Sequence, residues 1–202
     1  MSGFPILVEA AGLRALVVGG GPVAVRKATA LAEAGAAVRV VALVAGEAMR
    51  ELARSRAVTL EERPYDPRDV GDVELVVAAT SDRQVNARVC ADARQAGRLV
   101  NVVDAPEEGS FATMATHRAG QLVIAVGAGG VPGAAARIRD AIALRFDARY
   151  ARAMETLSMA RRALLDSGRG EEWRARSREL TGEAFCELVE QGALDARVAT
   201  WR

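Results

Sequence analysis

The sequence predicts an α/β fold: a parallel sheet with helices on both faces, followed by a small hairpin region and a helical C-terminal domain. Three observations predict it. Up to Asp104, short apolar runs alternate with helical patterns, which is the signature of consecutive βαβ units. After Asp104 the pattern changes to two strand-like runs around a short turn. Beyond residue 134, apolar residues recur only at helical spacing.

Each element has its own warrant. Residues 13–18 (LRALVV) form the first strand and end in Gly19-Gly20-Gly21. Residues 22–34 form a helix that Pro22 opens and Gly35 stops. A second strand covers 38–42, a helix 46–56, and a weaker, edge-like strand 58–62. Residues 73–79 and 99–103 are buried strands, and the helix 82–96 between them is capped by Ser81 or Asp82. Residues 110–116 and 121–126 read as a hairpin around His117-Arg118-Ala119-Gly120. A Gly-rich loop, 127–133, precedes a helical run from 134 to about 165 that carries Ile138, Ile142, Phe146, Tyr150, Met154 and Leu157. The tail from 171 onward reads as shorter helices with breaks near Ser167-Gly168 and Gly192. The expected domains are 1–109, 110–146 and 147–202.

Composition excludes several function classes. The 202 residues are half hydrophobic, which suits a folded chain with a core. With 27 basic against 26 acidic residues the net charge is +1, so no global field draws in nucleic acid or a membrane surface. Lys27 is the only lysine in an arginine-biased chain. Two distant cysteines, Cys90 and Cys186, make neither a disulfide framework nor a CxxC site, and a lone histidine, His117, cannot build a metal cage. No metal site is expected. No apolar run approaches the roughly 20 residues of a membrane span, and MSGFPILVEAAG lacks the basic start of a signal peptide. The expected location is the cytoplasm.

Three motifs carry chemistry. Gly19-Gly20-Gly21-Pro22-Val23-Ala24 fits G-x-G-x-x-A between a strand and a helix. Gly19 permits the tight turn, Gly21 lets the backbone approach a pyrophosphate, and Ala24 allows close helix–strand packing. The acid expected about 20 residues on, which would bind the ribose, is missing from 40–44 (VVALV). Arg39 is the only charge there: either a cation for a 2′-phosphate or a solvated strand residue. Backbone groups at Leu43 and Val44 are alternative ribose contacts. The second motif, Ala78-Ala79-Thr80-Ser81-Asp82, follows a buried strand at the ligand edge of the sheet, where Thr80 could meet a cofactor and Ser81-Asp82 a helix. The third is Asn101-Val102-Val103-Asp104-Ala105-Pro106. Asp104 ends an apolar strand, and spacing alone leaves it either a general base or a turn residue ahead of proline.

Taken together, VGGGPVAVRKATALAEAGAAV, AATSD with its VN, and NVVDAPEEGSF resemble the precorrin-2 dehydrogenase / sirohydrochlorin ferrochelatase family, which is also the N-terminal module of siroheme synthase. The resemblance covers about 4–165 well and the tail loosely; it includes FPILVEAAGLRALVVGGG, a short strand-like lead before the nucleotide fold. It implies a Rossmann-type domain, a dimerisation region and a helical C-terminal domain. It also implies oxidation of precorrin-2 to sirohydrochlorin with NAD as hydride acceptor, and in some members insertion of Fe2+. The family's catalytic acid falls on Asp104, and its cofactor contacts fall on Pro22, Val23, Leu43 and Val44, with Thr80 nearby and Gly19 and Gly21 in the turn.

A polycarboxylate substrate calls for arginines. Arg118, Arg137 and Arg139 are candidates, and His117 is a candidate for metal or proton handling. The chain departs from the family in three places. Ala128 stands where some members carry a phosphorylatable serine, the loop 127–133 lacks the Ser-Pro end, and Phe111-Ala112-Thr113-Met114 lacks the proline of F-x-x-P. No methyltransferase module follows, so that step is expected from another protein. The hairpin and the stripe Ile138, Ile142, Phe146 expose more apolar surface than one edge can hide, so a homodimer is expected. The rival class is an NAD(H)-sensing module without catalysis, which accounts for the glycine motif but not for NVVDAP.

Overall fold

The structure, a computed structural model, describes residues 3–201. Contacts divide the chain into two compact units, one up to Thr113 and one from Met114 onward.

The first unit is built on a five-stranded parallel sheet: β1 (Arg14–Val18), β2 (Ala37–Ala42), β3 (Thr59–Glu62), β4 (Leu75–Ala78) and β5 (Leu99–Val102). Their order is β3-β2-β1-β4-β5, so the chain changes direction across the sheet at β1. The helices are α1 (Pro22–Glu33), α2 (Glu47–Arg54) and α3 (Arg83–Gln95). β1, β2, β4 and β5 are mostly apolar because both faces are covered, while the edge strand β3 reads Thr-Leu-Glu-Glu and is only partly buried. Ala15, Val17, Val40 and Val77 face Ala24 and Ala28 of α1 and Met49 of α2. Leu16, Val18, Val76, Val100 and Val102 face Val89, Cys90 and Ala93 of α3. Pro22 starts α1 on the uncapped Gly21, and Gly35 ends its last turn at φ +98°. Asp82 caps α3, its carboxylate accepting from Gln84 N at 2.8 Å.

The second unit holds an antiparallel hairpin, β6 (Ala115–Ala119) and β7 (Leu122–Val126), and five helices: α4 (Pro132–Arg145), α5 (Ala148–Asp166), α6 (Gly170–Leu180), α7 (Phe185–Glu190) and α8 (Leu194–Ala199). Its core gathers Tyr150, Leu164, Leu180, Val189, Leu194, Val198 and Trp201.

The structure differs from the sequence expectations in five places. The lead before β1 forms no strand among the described residues, and Phe4, Ile6, Leu7 and Val8 are exposed. β5 ends at Val102, so Asp104 lies in a bend. The first hairpin strand starts at Ala115 rather than 110, and His117 and Arg118 lie within it. The turn is Gly120-Gln121, because a two-residue hairpin turn needs positive φ and Gly120 supplies it at +59°. The helical run from 134 breaks at Phe146, whose ψ is +64°, and Asp147 caps a new helix by accepting from Arg149 N at 2.9 Å. Finally, the hairpin shares a unit with the helices. A two-stranded ribbon cannot bury its own face, and Leu122 packs against the helical core.

Candidate active site

β1, β4 and β5 end in register, with Val18 beside Ala78 and Ala78 beside Val102. Their carboxyl edge therefore carries the glycine turn, the Thr80 turn and the Asp104 bend together. The three glycines answer different constraints. Gly19 has φ +130°, and a Cβ there would stand 2.3 Å from the Ala79 carbonyl oxygen. A Cβ on Gly20 would stand 2.3 Å from the Val44 carbonyl oxygen, and the Gly20 carbonyl accepts from Gly46 N at 3.1 Å. A Cβ on Gly21 would meet nothing within 4 Å. That open space adjoins the first turn of α1, which has no side-chain cap and no acidic residue. Its free amides and positive dipole end suit a pyrophosphate.

The loop after β2 packs beside the glycine turn, close to Gly20. Leu43 and Val44 are each 72% exposed, apolar and uncovered. Arg39 does not face this loop as a free cation. It is only 24% exposed and is spent within the fold, donating to the Asp69 carboxylate at 2.9 Å and the Asp69 carbonyl at 2.7 Å. The solvated reading of Arg39 is therefore corrected: it is a structural cation. Glu62, at the end of β3, takes a bidentate pair from Arg50 at 2.9 and 2.8 Å, and its Oε2 also lies 3.3 Å from Ala45 N. The Arg50 guanidinium and the Ala45 amide hold the Glu62 carboxyl down at about 2.

On the other side of β1, after β4, Thr80 is fastened by Asn86, a wholly buried residue of α3. Asn86 Oδ1 accepts from Thr80 N at 3.0 Å and lies 2.8 Å from the Thr80 hydroxyl, while Asn86 Nδ2 donates to the Thr80 carbonyl at 3.1 Å. The Thr80 hydroxyl also accepts from Asp82 N at 3.1 Å. Asp104 is different. Its carboxylate makes no hydrogen bond among the described residues, and its nearest cation is Arg83 Nε at 4.0 Å. Arg83 is itself drawn to Glu108. A turn-forming aspartate would bond its own loop; Asp104 bonds nothing there and is left available to a ligand.

In the second unit, His117 Nε2 donates to the Phe146 carbonyl at 2.6 Å and ties β6 to the end of α4. Arg139 pairs with its neighbour Asp140. Arg118 and Arg137 are exposed, with no carboxylate within 4.0 Å among the described residues. Among the described residues, no group of three or more His, Cys, Asp or Glu side chains could hold a metal ion.

Sequence reasoning gave no role to Gly20, Asn86 or Lys27. The middle glycine is a free position in G-x-G, so only the packing of the β2 loop reveals it. Asn86 is visible as the asparagine four residues after Asp82, one helical turn on. Lys27 is half-buried on α1 and donates to the Thr113 hydroxyl, with no carboxylate within reach among the described residues. Burial, and then the nearby Arg26, lower its pKa. Its only signal is its rarity.

Residues 6–115 match the family described as putative NAD(P)-binding. The chain belongs to this family. The stretch matched contains the glycine turn, the β2 loop, Thr80 and Asp104. The chain is also 42% identical over 130 residues to the siroheme synthase of Pseudomonas fluorescens, covering 64% of this chain and 28% of that protein. It is 40% identical over 137 residues to the siroheme synthase of Methylococcus capsulatus, covering 68% of this chain and 29% of that one. The chain thus spans less than a third of the length of these relatives. Its fold matches the solved structure of SirC, a precorrin-2 dehydrogenase, with TM-score 0.76 and 22% identity over 98% of this chain and 99% of that one. The α/β unit with hairpin and helical C-terminal region is therefore a shared architecture.

Proposed function

We propose that this chain oxidises precorrin-2 to sirohydrochlorin with NAD+ as the hydride acceptor. The observation that carries the reading is Asp104: a carboxylate with no hydrogen-bond partner among the described residues and only a distant cation, Arg83 at 4.0 Å, on the same sheet edge as an open, amide-lined cradle. The similarity to siroheme synthases and to a precorrin-2 dehydrogenase supports the choice of substrate.

The residues fit the cofactor. Gly19, Gly21, Pro22 and Val23 would hold the pyrophosphate, and Leu43 and Val44 would flank the adenosine, with Thr80 bordering the cleft. When bound, NAD+ supplies the hydride acceptor. Asp104 takes the proton that leaves the macrocycle or orients a pyrrolic N–H. Arg118 and Arg137, exposed in the second unit, are the candidates for the substrate carboxylates, and Arg139 becomes one if it exchanges Asp140 for them. His117, committed to Phe146, acts through structure. Fe2+ as a second substrate would use the same base, since metal entry also displaces pyrrolic protons. The hairpin has two free edges, and Val131, Ile138 and Leu144 are exposed in the same unit; this supports a homodimer. No helix among the described residues is long and apolar enough to cross a membrane, which agrees with the cytoplasmic setting we propose.

The test is anaerobic turnover of precorrin-2 with NAD+, with and without Fe2+. Formation of NADH in step with sirohydrochlorin is expected. Binding of NAD+ without consumption of tetrapyrrole would overturn the dehydrogenase reading and leave a sensor.

A further inference from the structure

We propose that Glu62, through its pair with Arg50, makes this site select NAD+ over NADP+. The inference rests on the dinucleotide reading above and goes beyond it, because the fold lacks the usual acid at the end of β2. Three observations carry it.

First, the β2 loop is the place for the adenosine: Gly20 touches Val44 and Ala45, and the exposed Leu43 and Val44 lie beside it. Second, Arg50 stands next to that loop. Its Nη2 and the Ala45 amide reach one and the same oxygen, Glu62 Oε2, at 2.8 and 3.3 Å. Third, the pair is closed. Glu62 offers both oxygens to Arg50, and the other acid on α2's first turn, Glu47, is occupied by Arg54. Arg39, the remaining cation on β2, is held by Asp69.

A 2′-phosphate needs an uncommitted cation at this loop. Arg50 has the right position and the wrong partner. To reach the phosphate it must leave a bidentate carboxylate, and the carboxylate left behind repels the phosphate. An NAD+ ribose brings only hydroxyls and meets no such cost. Selection at this edge therefore comes from repulsion and from a cation already satisfied, and the acid responsible sits on β3.

Calorimetric titration with NAD+ and with NADP+ tests the inference without any need for turnover. In Glu62→Gln, Arg50 is left unpaired, and the ratio of NADP+ to NAD+ affinity should rise about tenfold or more, the scale of one charge-assisted hydrogen bond. In Arg50→Gln, Glu62 is left uncompensated, and the ratio should fall below that of the wild type. Both variants are exposed substitutions, and circular dichroism reports their folding. Opposite movement of the two ratios supports the proposal. If the wild type binds NAD+ and either folded variant keeps the wild-type ratio within twofold, the proposal is overturned while the dinucleotide reading stands. If the wild type binds neither cofactor, the dinucleotide reading falls and this inference with it.

Discussion

Gly19 and Gly21 are two residues apart and serve different ends. Gly19 is required by the fold, since any side chain collides with the Ala79 carbonyl at a backbone angle that disfavours side chains. Gly21 has φ −87° and open space around it, so what it must accommodate is a ligand. Gly21→Asp should therefore fold normally and lose NAD+ binding, because it places bulk and negative charge where the pyrophosphate lies. Gly19→Ala should lose stability first. Thermal melts alongside NAD+ titration separate the two, and a folded Gly21→Asp with unchanged NAD+ affinity would contradict the assignment. Asp104 offers the matching test for chemistry. Asp104→Asn keeps the shape and removes the basicity, so NAD+ should still bind while precorrin-2 oxidation falls roughly 10²–10⁴-fold. Steady-state rates near those of the wild type would move the base elsewhere.

Between elements, the buried carboxylate of Asp69 ties several segments of the first unit together. Asp69 sits in the one-turn 3-10 helix Pro67–Val70 and accepts from Arg39 on β2, from Arg63 just past β3, and from Asp66 N. Burial pushes its carboxyl up, but Arg63, the Asp66 amide and Arg39 outweigh burial and hold it at about 2. A lowered carboxyl stabilises the fold above its unfolded value and loses that effect as pH falls through the folded one. The loss should therefore run from about pH 4 down to about 2, and for Asp69 it amounts to roughly 2 kcal/mol. Glu62 and Glu74, each also held at about 2 by an arginine hydrogen bond, titrate in the same window. Asp69→Asn should cost roughly 2 kcal/mol at neutral pH, since Arg39 and Arg63 lose their buried partner and keep only the more exposed Glu61 and Asp72, and should flatten the acid limb. Urea melts across this pH range check both; an unchanged acid limb would show that the network does not hold the sheet edge. In the second unit, His117 plays the comparable part by joining β6 to the end of α4.

At the scale of the molecule, the prediction concerns assembly. The hairpin has two unpaired edges, and Leu144 and Ile138 of α4 are exposed. Free edges and uncovered apolar residues are normally paired or hidden. Sedimentation equilibrium at micromolar concentration should give a two-fold dimer, and charged substitutions at Ile138 and Leu144 should shift it toward monomer. A wild-type monomer would contradict this reading.

What the sequence determined by itself was periodic or local. The four apolar strands, the helices between them and the glycine turn are legible because burial on both faces forces apolar runs, while caps and breakers act within a few residues; the edge strand β3, Thr-Leu-Glu-Glu, left only a weaker signal. The tertiary structure decided what depends on residues distant in sequence. The helical stripe runs unbroken through Phe146, yet the helix breaks there; periodicity records which face is buried and says nothing of where the axis turns. The hairpin register waited on the positive φ of Gly120. Arg39 looked like a free cation until Asp69, thirty positions on, was folded against it. Asp104 could be a turn residue or a base on spacing alone. Folding left its carboxylate without a hydrogen-bond partner among the described residues and 4.0 Å from Arg83, because which groups a side chain reaches is a property of packing and not of order along the chain.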